Sequence, residues 1–225
     1  MESILYTENL TRKFKTGTTT VTALNAVNVQ IEPGKLTMLR GRSGSGKTTL
    51  INLLGALDSP TEGKVFFEGK EISNWNDGQR GKLRRKKIGF IFQSVALISS
   101  MTAYENVEFA LRIAGYPRSK RRARAEQCLE LVGLGKRMKH RPIELSGGEQ
   151  QRVAIARAIA HKPQIIFADE PTAELDSIMG LQIVKLFKEL VAKENITIVM
   201  TTHDPSMMEV ADKVYTLEDG VVVDE

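Results

Sequence analysis

Between residues 41 and 48 the chain reads Gly41-Arg42-Ser43-Gly44-Ser45-Gly46-Lys47-Thr48, and no other stretch limits its fold as tightly. Glycines at this density weaken a helix or a strand, because each loses more backbone freedom on ordering than any other residue. They suit a curled loop, and the flanks show what the loop joins. Lys35 to Arg40 before it reads as a strand. After it, apolar residues cluster at Leu50, Ile51, Leu53 and Leu54 in a helix expected over residues 47–57. Strand, glycine loop and helix form the setting in which the pattern G-x-x-x-x-G-K-[ST] cradles phosphate. Successive backbone N–H groups and the positive helix end point at phosphate oxygens, Lys47 adds a point charge, and the Thr48 hydroxyl is placed for Mg²⁺. A plain glycine turn capping a helix needs chance to supply both the pattern and its setting.

The rest of the chain builds a framework around that loop. Strand signals open it at residues 4–6 and, after a turn centred on Gly17, at Val27, Val29 and Ile31. A strand at 64–68, a charged helix and a strand at 88–92 follow. From about residue 103 to 160 strand signals nearly vanish, and apolar residues recur at helical spacing, as in Val107, Ala110 and Leu111 or Ala125, Leu129 and Val132. The alternation then returns: a strand at 164–168, a helix at 181–193, a strand at 197–201, a short helix at 205–211 and a closing hairpin at Asp219-Gly220. Strands alternating with helices imply an α/β fold with a mostly parallel sheet and an inserted helical segment. The 225 residues, 41% hydrophobic and 26% charged, exclude disorder and fibrous repeats. The single Cys128 excludes an internal disulfide framework and favours a reducing compartment. Met1 to Leu5 lacks the charged and apolar regions of a signal peptide, and no apolar run approaches the ~20 residues of a bilayer span.

Three further groups bear on chemistry. Asp169-Glu170 ends the strand Ile165 to Ala168, at the carboxyl edge where parallel sheets bind ligands. Asp169 suits a Mg²⁺ shell, and Glu170 suits a general base that polarises water. Leu145-Ser146-Gly147-Gly148-Glu149-Gln150-Gln151-Arg152 opens a helix over residues 153–160 and offers a second N-terminus suited to an anion. A serine cap followed by glycines is the plainer alternative. The net charge of +5 is concentrated at Arg84 to Lys87 and Arg118 to Arg124. The second run reads first as a solvated helix face, then as a surface for acidic lipid or a partner, and last as a nucleic-acid contact. His140 and His161 read as surface or helix-end residues, Cys128 as a small packed residue, and Met207-Met208 as helix packing.

Taken together, the phosphate loop, Asp169-Glu170 and Leu145 to Arg152 resemble the ATP-binding-cassette (ABC) ATPases, whose signature sequence is LSGGQ. The resemblance covers essentially the whole chain. It implies a phosphate-loop NTPase with an antiparallel β subdomain near the N-terminus, a catalytic core over residues 1–93 and 164–225, and a helical signature subdomain over 94–163. ATP and Mg²⁺ are then the expected ligands. Gly41, Arg42, Ser43, Gly44, Ser45, Gly46, Lys47, Thr48 and Thr49 would hold the phosphates, and Thr48, Gln93 and Asp169 the metal. Gln93 looks like the Q-loop glutamine, Leu175-Asp176 like the D-loop, and His203 like the switch histidine that contacts the γ-phosphate beside Glu170. Phe14 matches the aromatic position that stacks on adenine. It keeps the ring face but not the hydroxyl of the frequent tyrosine. Ala173-Glu174 stands where the family often has Gly-x, which adds a carboxylate.

In this family two cassettes face head to tail, so Ser146, Gly147, Gly148 and Glu149 of one subunit would meet the γ-phosphate held by the other. Gly55 to Gly63, Gly89 to Gln93 and Thr102 to Val107 resemble the macrolide-exporter and lipoprotein-release group (MacB, LolD and FtsE-like), together with the related peptide-antibiotic resistance cassettes. A separate permease of FtsX/MacB-like type and a peripheral place on the cytoplasmic face of the cell membrane follow from that resemblance. The competing expectation is a soluble ABC ATPase acting on ribosomes or nucleic acid. Its ribosomal members carry two cassettes and its chromosome members long coiled coils, neither of which fits here. A phosphate-loop kinase or GTPase would leave Leu145 to Arg152 and His203 unexplained.

Overall fold

The computed structural model describes residues 3–224. The chain runs β1 (Leu5–Thr16), β2 (Thr19–Val27), β3 (Gln30–Ile31), β4 (Leu36–Arg40), α1 (Lys47–Leu54), β5 (Glu62–Phe67), β6 (Lys70–Glu71), α2 (Asp77–Lys87), β7 (Ile88–Ile91), α3 (Ala103–Ile113), α4 (Arg118–Leu131), α5 (Gly147–Ile159), β8 (Ile165–Ala168), α6 (Ser177–Glu194), β9 (Thr197–Thr202), β10 (Lys213–Glu218) and β11 (Val221–Asp224). Short 3-10 turns lie at Pro142–Glu144 and Pro205–Val210. One sheet is antiparallel, in the order β2-β1-β5-β6 with β3 beside β1. The other has the order β11-β10-β4-β9-β8-β7 and is parallel except for the β10–β11 hairpin at its edge.

The central parallel strands β4, β8 and β9 are buried on both faces, and their side chains alternate between two cores. Ile165 and Phe167 of β8, with Val199 of β9, face the core shared with α1 and the antiparallel sheet. Ile166, Ala168, Ile198 and Met200 face the opposite core, which includes Val107, Leu111, Leu129, Val153, Ile155 and Phe187 from the helices. The helical segment therefore rests on the sheet and has a continuous core with it. Both apolar stripes expected from the sequence lie in that core except for Ala110, which is half-buried, and Cys128 is buried among them. Burial pushes its thiol up to about 11.

Several boundaries differ from the sequence expectation for local reasons. β1 extends to Thr16, because Leu10 to Thr16 pair with β2. Val29 lies outside a strand, and its N–H donates to the Thr7 hydroxyl at 3.0 Å. α1 ends at Leu54, where Gly55 closes the helix by donating to the carbonyl of Ile51. α6 begins four residues early, because the Asp176 carboxylate accepts the N–H of Met179 at 2.9 Å and caps it there. α5 begins at Gly147, capped by Ser146.

Candidate functional site

Four adjacent parallel strands, in the order β4-β9-β8-β7, end at one edge of the sheet. β4 leads into the glycine loop, β9 into His203, β8 into Asp169-Glu170 and β7 through Phe92 to Gln93. Pairing of Arg40 with Thr202 and of Ala168 with Met200 sets these exits at similar heights. A cleft of about 740 Å³ along this edge is lined by Gly41, Arg42, Ser43, Ser45 and His203, with Glu218 and Asp219 opposite. His203 also lines a smaller cleft of about 200 Å³ with Glu170, Thr172, Leu175 and Thr202.

The loop is built for an anion. Gly46 has φ 102°, and a Cβ there would lie 2.6 Å from the carbonyl oxygen of Ala23, so backbone conformation and space both demand glycine. α1 has no side-chain cap and no acid in its first turn. Lys47 is buried, with Nζ donating to the carbonyls of Gly41 at 2.7 Å and Arg42 at 2.9 Å, which holds the charge against the loop. Ser45 Oγ is buried inside the loop without a hydrogen-bond partner, an orphaned donor of the kind a phosphate oxygen satisfies. Thr48 is exposed at the start of α1, and Thr49 is half-buried beside it.

Asp169 continues the sheet ladder by donating its N–H to the carbonyl of Ile91 at 2.9 Å. Glu170 follows at φ 44°, and its Oε2 lies 3.7 Å from His203 Nδ1. Gln93 is exposed in the loop after β7. Among the described residues no group of three or more His, Cys, Asp or Glu could cage a metal ion. The donors at this edge are a hydroxyl, a carboxylate and an amide oxygen from Thr48, Asp169 and Gln93. That hard-oxygen set fits Mg²⁺, which usually binds through one or two protein oxygens, phosphates and water.

Other sequence-predicted residues lie elsewhere. Ser146, Gly147, Gly148 and Glu149 line neither cleft, as is also true of Lys47, Thr48, Gln93 and Asp169, but the signature residues belong to no strand end of this edge. They abut the start of α6: a Cβ on Gly147 would lie 3.8 Å from Leu175, and one on Gly148 would meet Met179. Ser146 Oγ accepts the Glu149 N–H at 3.3 Å, and Glu149 Oε2 accepts the Ser146 N–H at 2.9 Å, a closed capping box. Hydrogen bonding from Ser146 holds the Glu149 carboxyl below its ordinary range, with Arg137 adding to it. Asp176 is exposed as the α6 cap. Phe14 is 39% exposed on β1, with the Arg12 guanidinium stacked 4.6 Å from its ring centre.

The basic run over Arg118 to Arg124 is only partly a solvated face. Arg124 is buried and donates to the carbonyls of Ile159 and Ala160, both at 3.0 Å, completing the C-terminal turn of α5. Arg121 donates to the Tyr116 carbonyl at 2.7 Å. His161 is a helix-end residue just past the Ala160 cap of α5 and is half-buried, with its ring against the carbonyl of Ile88. Burial pushes its pKa below the ordinary histidine value, against the pull of that carbonyl.

Two residues near the site escaped the sequence reading. Arg157 of α5 bonds the carbonyls of Val95 and Ala96 in the loop after Gln93, and its signal was a guanidinium set among Val153, Ala154, Ile155, Ala156 and Ala158. Thr201 contacts both Asp169 and Glu170, and no motif marks it.

Comparison with known proteins follows the same lines. The family described as ABC transporter matches residues 24–173, more than half of the chain. An uncharacterized ABC transporter ATP-binding protein of Methanocaldococcus jannaschii is 46% identical over 217 residues, 96% of each chain. The macrolide export ATP-binding/permease protein MacB of Bartonella henselae is 43% identical over 222 residues, 99% of this chain but 34% of its own length. This chain thus spans about a third of that relative. The dimeric structure of the ATP-binding cassette MJ0796 in a post-hydrolysis state, bound to ADP and Pi, superposes with a TM-score of 0.89 at 41% identity, covering 98% of this chain and 97% of that one.

Proposed function

The chain belongs to the ABC transporter ATP-binding family and is an ATPase cassette; on that premise we propose that two copies close head to tail on ATP and drive a separate membrane permease. The observation that carries this reading is the separation of two anion-ready helix N-termini. The loop before α1 opens on the cleft at the strand ends, whereas Ser146 to Glu149 lie against α6 and line no part of it. A second copy would supply the missing wall, with Asp176 at the seam. The dimeric MJ0796 cassette supports that assembly.

In this reading residues 41–49 hold the ATP phosphates, with Lys47 neutralising the terminal charge, and Phe14 stacks on adenine through its ring face. Thr48, Asp169 and Gln93 would hold Mg²⁺, which neutralises charge on the phosphate oxygens. Glu170 accepts a proton as water attacks the γ-phosphorus and the bond to ADP breaks. His203, beside Glu170, donates toward the γ-phosphate. Ser146 and the N–H groups of Gly147 and Gly148 contact that phosphate from the partner copy.

The membrane partner is supported by a second surface. A groove of about 450 Å³ is lined by Leu57, Phe90, Phe92, Ala110, Ile113 and Ala158, with Arg84, Arg85 and Arg157 around it. Phe92 and Ile113 remain exposed there, as an apolar docking surface would require. Among the described residues no helix is long and apolar enough to cross a membrane. The MacB relative of Bartonella henselae is an ATP-binding/permease protein. We assign this chain a permease of the FtsX/MacB-like type and a peripheral position on the cytoplasmic face of the membrane. The test is affinity purification of tagged Glu170→Gln with Mg-ATP from detergent-solubilised membranes of the native host. Recovery of a stoichiometric multi-spanning permease with a large extracytoplasmic domain is the expected result, and recovery of ribosomal or nucleic-acid partners alone would overturn the transport reading.

A further inference from the structure

Asp169 and Glu170 leave the sheet together, and one buried hydroxyl holds both of them. Thr201 is fully buried near the end of β9, with its backbone fixed in the ladder opposite Leu39 of β4. Its Oγ1 donates to Asp169 Oδ1 at 2.7 Å and accepts the N–H of Glu170 at 2.7 Å. Both roles of the hydroxyl are therefore used, one of them in a charge-assisted bond. The arrangement matters most at Glu170, whose φ of 44° is a left-handed conformation that is unfavourable for a residue with a side chain. That backbone turn presents the Glu170 N–H to Thr201, and Ala173 donates to the Glu170 carbonyl at 3.2 Å from the other side.

We propose that Thr201 is a positioning residue for ATP hydrolysis, one hydroxyl that sets the Asp169 carboxylate and the Glu170 backbone at the same time. The inference rests on the roles proposed above for Asp169 and Glu170. Thr201 engages one of the two Asp169 oxygens and thereby fixes the plane in which the other is offered to a metal ion. It also fixes the root from which Glu170 extends toward His203. The adjacent Thr202 is committed elsewhere, accepting the N–H of Asp204 at 3.1 Å and lying 3.9 Å from the sulfur of Met207. Thr202 therefore cannot replace it. A β-branched side chain with a restricted χ1 keeps the hydroxyl in place.

The test compares Thr201→Val, which preserves shape and removes the hydroxyl, with Thr201→Ser, which preserves the hydroxyl, in the full chain. Turnover is measured alongside the affinity for the non-hydrolysable analogue AMP-PNP, in Mg²⁺ and in EDTA. In Thr201→Val, kcat falls at least about tenfold while KM for ATP stays within about threefold, as loss of a charge-assisted bond predicts. The gain in AMP-PNP affinity that Mg²⁺ confers shrinks by about two- to threefold, while affinity in EDTA is unchanged. Thr201→Ser restores both quantities. Wild-type behaviour of Thr201→Val overturns the proposal, as does an equal loss of affinity with and without Mg²⁺, or a serine variant as impaired as valine. If Thr201→Val does not fold, Thr201→Ala is judged by the same criteria. Glu170→Gln is run beside them. Wild-type turnover in that variant removes the role assigned to Glu170, whereas an inactive Glu170→Gln with an unaffected Thr201→Val overturns Thr201 alone.

Discussion

α1 and α5 both begin with glycine-rich turns, yet their first turns are finished in opposite ways. At α1 the N-cap is Gly46, no side chain caps the helix, and no acid sits in the first turn. At α5 the N-cap is Ser146, the capping box with Glu149 is closed, and Glu149 places a carboxylate in the first turn. The positive end of a helix and its unpaired N–H groups attract anions in both. At α1 no side chain competes for them, whereas at α5 the Ser146 hydroxyl already takes the Glu149 N–H and leaves those of Gly147 and Gly148. In the proposed assembly, what the first turn of α1 omits is what leaves that N-terminus open to phosphate.

The largest effect that could break this contrast is Lys47→Ala, which removes the one buried cation of the open loop. ATP turnover is expected to fall by about 100-fold or more, and an unchanged rate would end the phosphate-loop assignment. Next come the paired substitutions Gly46→Ala and Gly148→Ala, followed by urea denaturation. A Cβ on Gly46 meets the Ala23 backbone at φ 102°, whereas one on Gly148 meets only the flexible end of Met179. The first should cost more than about 1 kcal/mol, and the second less, because alanine's helix propensity offsets the Met179 shift. Equal costs would remove the distinction between the two turns.

Smaller still is Ser146→Ala, which should destabilise the protein by about 1 kcal/mol through loss of a cap. The finest comparison is Glu149→Gln, since glutamine completes a capping box without charge. The Glu149 carboxyl is held below its ordinary value, so its contribution is present above the unfolded-state pKa and is lost as pH falls through the folded one. Wild type should therefore lose part of its thermal stability on acidification below about pH 4.3 that Glu149→Gln retains. Identical pH profiles would show that the carboxylate plays no part in the cap.

The order of elements and the chemical edge were legible because they depend on local patterns. Glycine spacing, the apolar run ending in Asp169-Glu170 and the helical stripes each report a backbone state directly. Thr201 was not legible, because a threonine in Thr197 to Thr202 looks like ordinary β-propensity, and its value comes from a neighbouring strand 31 or 32 residues away in sequence. Arg124 was hidden in a basic run, although its place one turn before Cys128 on the apolar stripe marks the buried side. The helix start at Ser177 was not legible, because Asp176 caps it before any apolar periodicity begins, whereas a serine cap followed by glycines, the plainer alternative at Ser146, is what opens α5.

The central claim is that the open N-terminus of one copy and the capped N-terminus of another close on a single ATP. Mixed dimers test it most directly, prepared in the Glu170→Gln background with a different affinity tag on each chain and assayed for trapped ATP. With Lys47→Ala on one chain and Ser146→Ala on the other, the account predicts one intact site and one ATP retained per dimer. With both lesions on one chain, it predicts none. The reverse result, retention only when both lesions share a chain, would place the two N-termini in the same site of one copy and contradict the account.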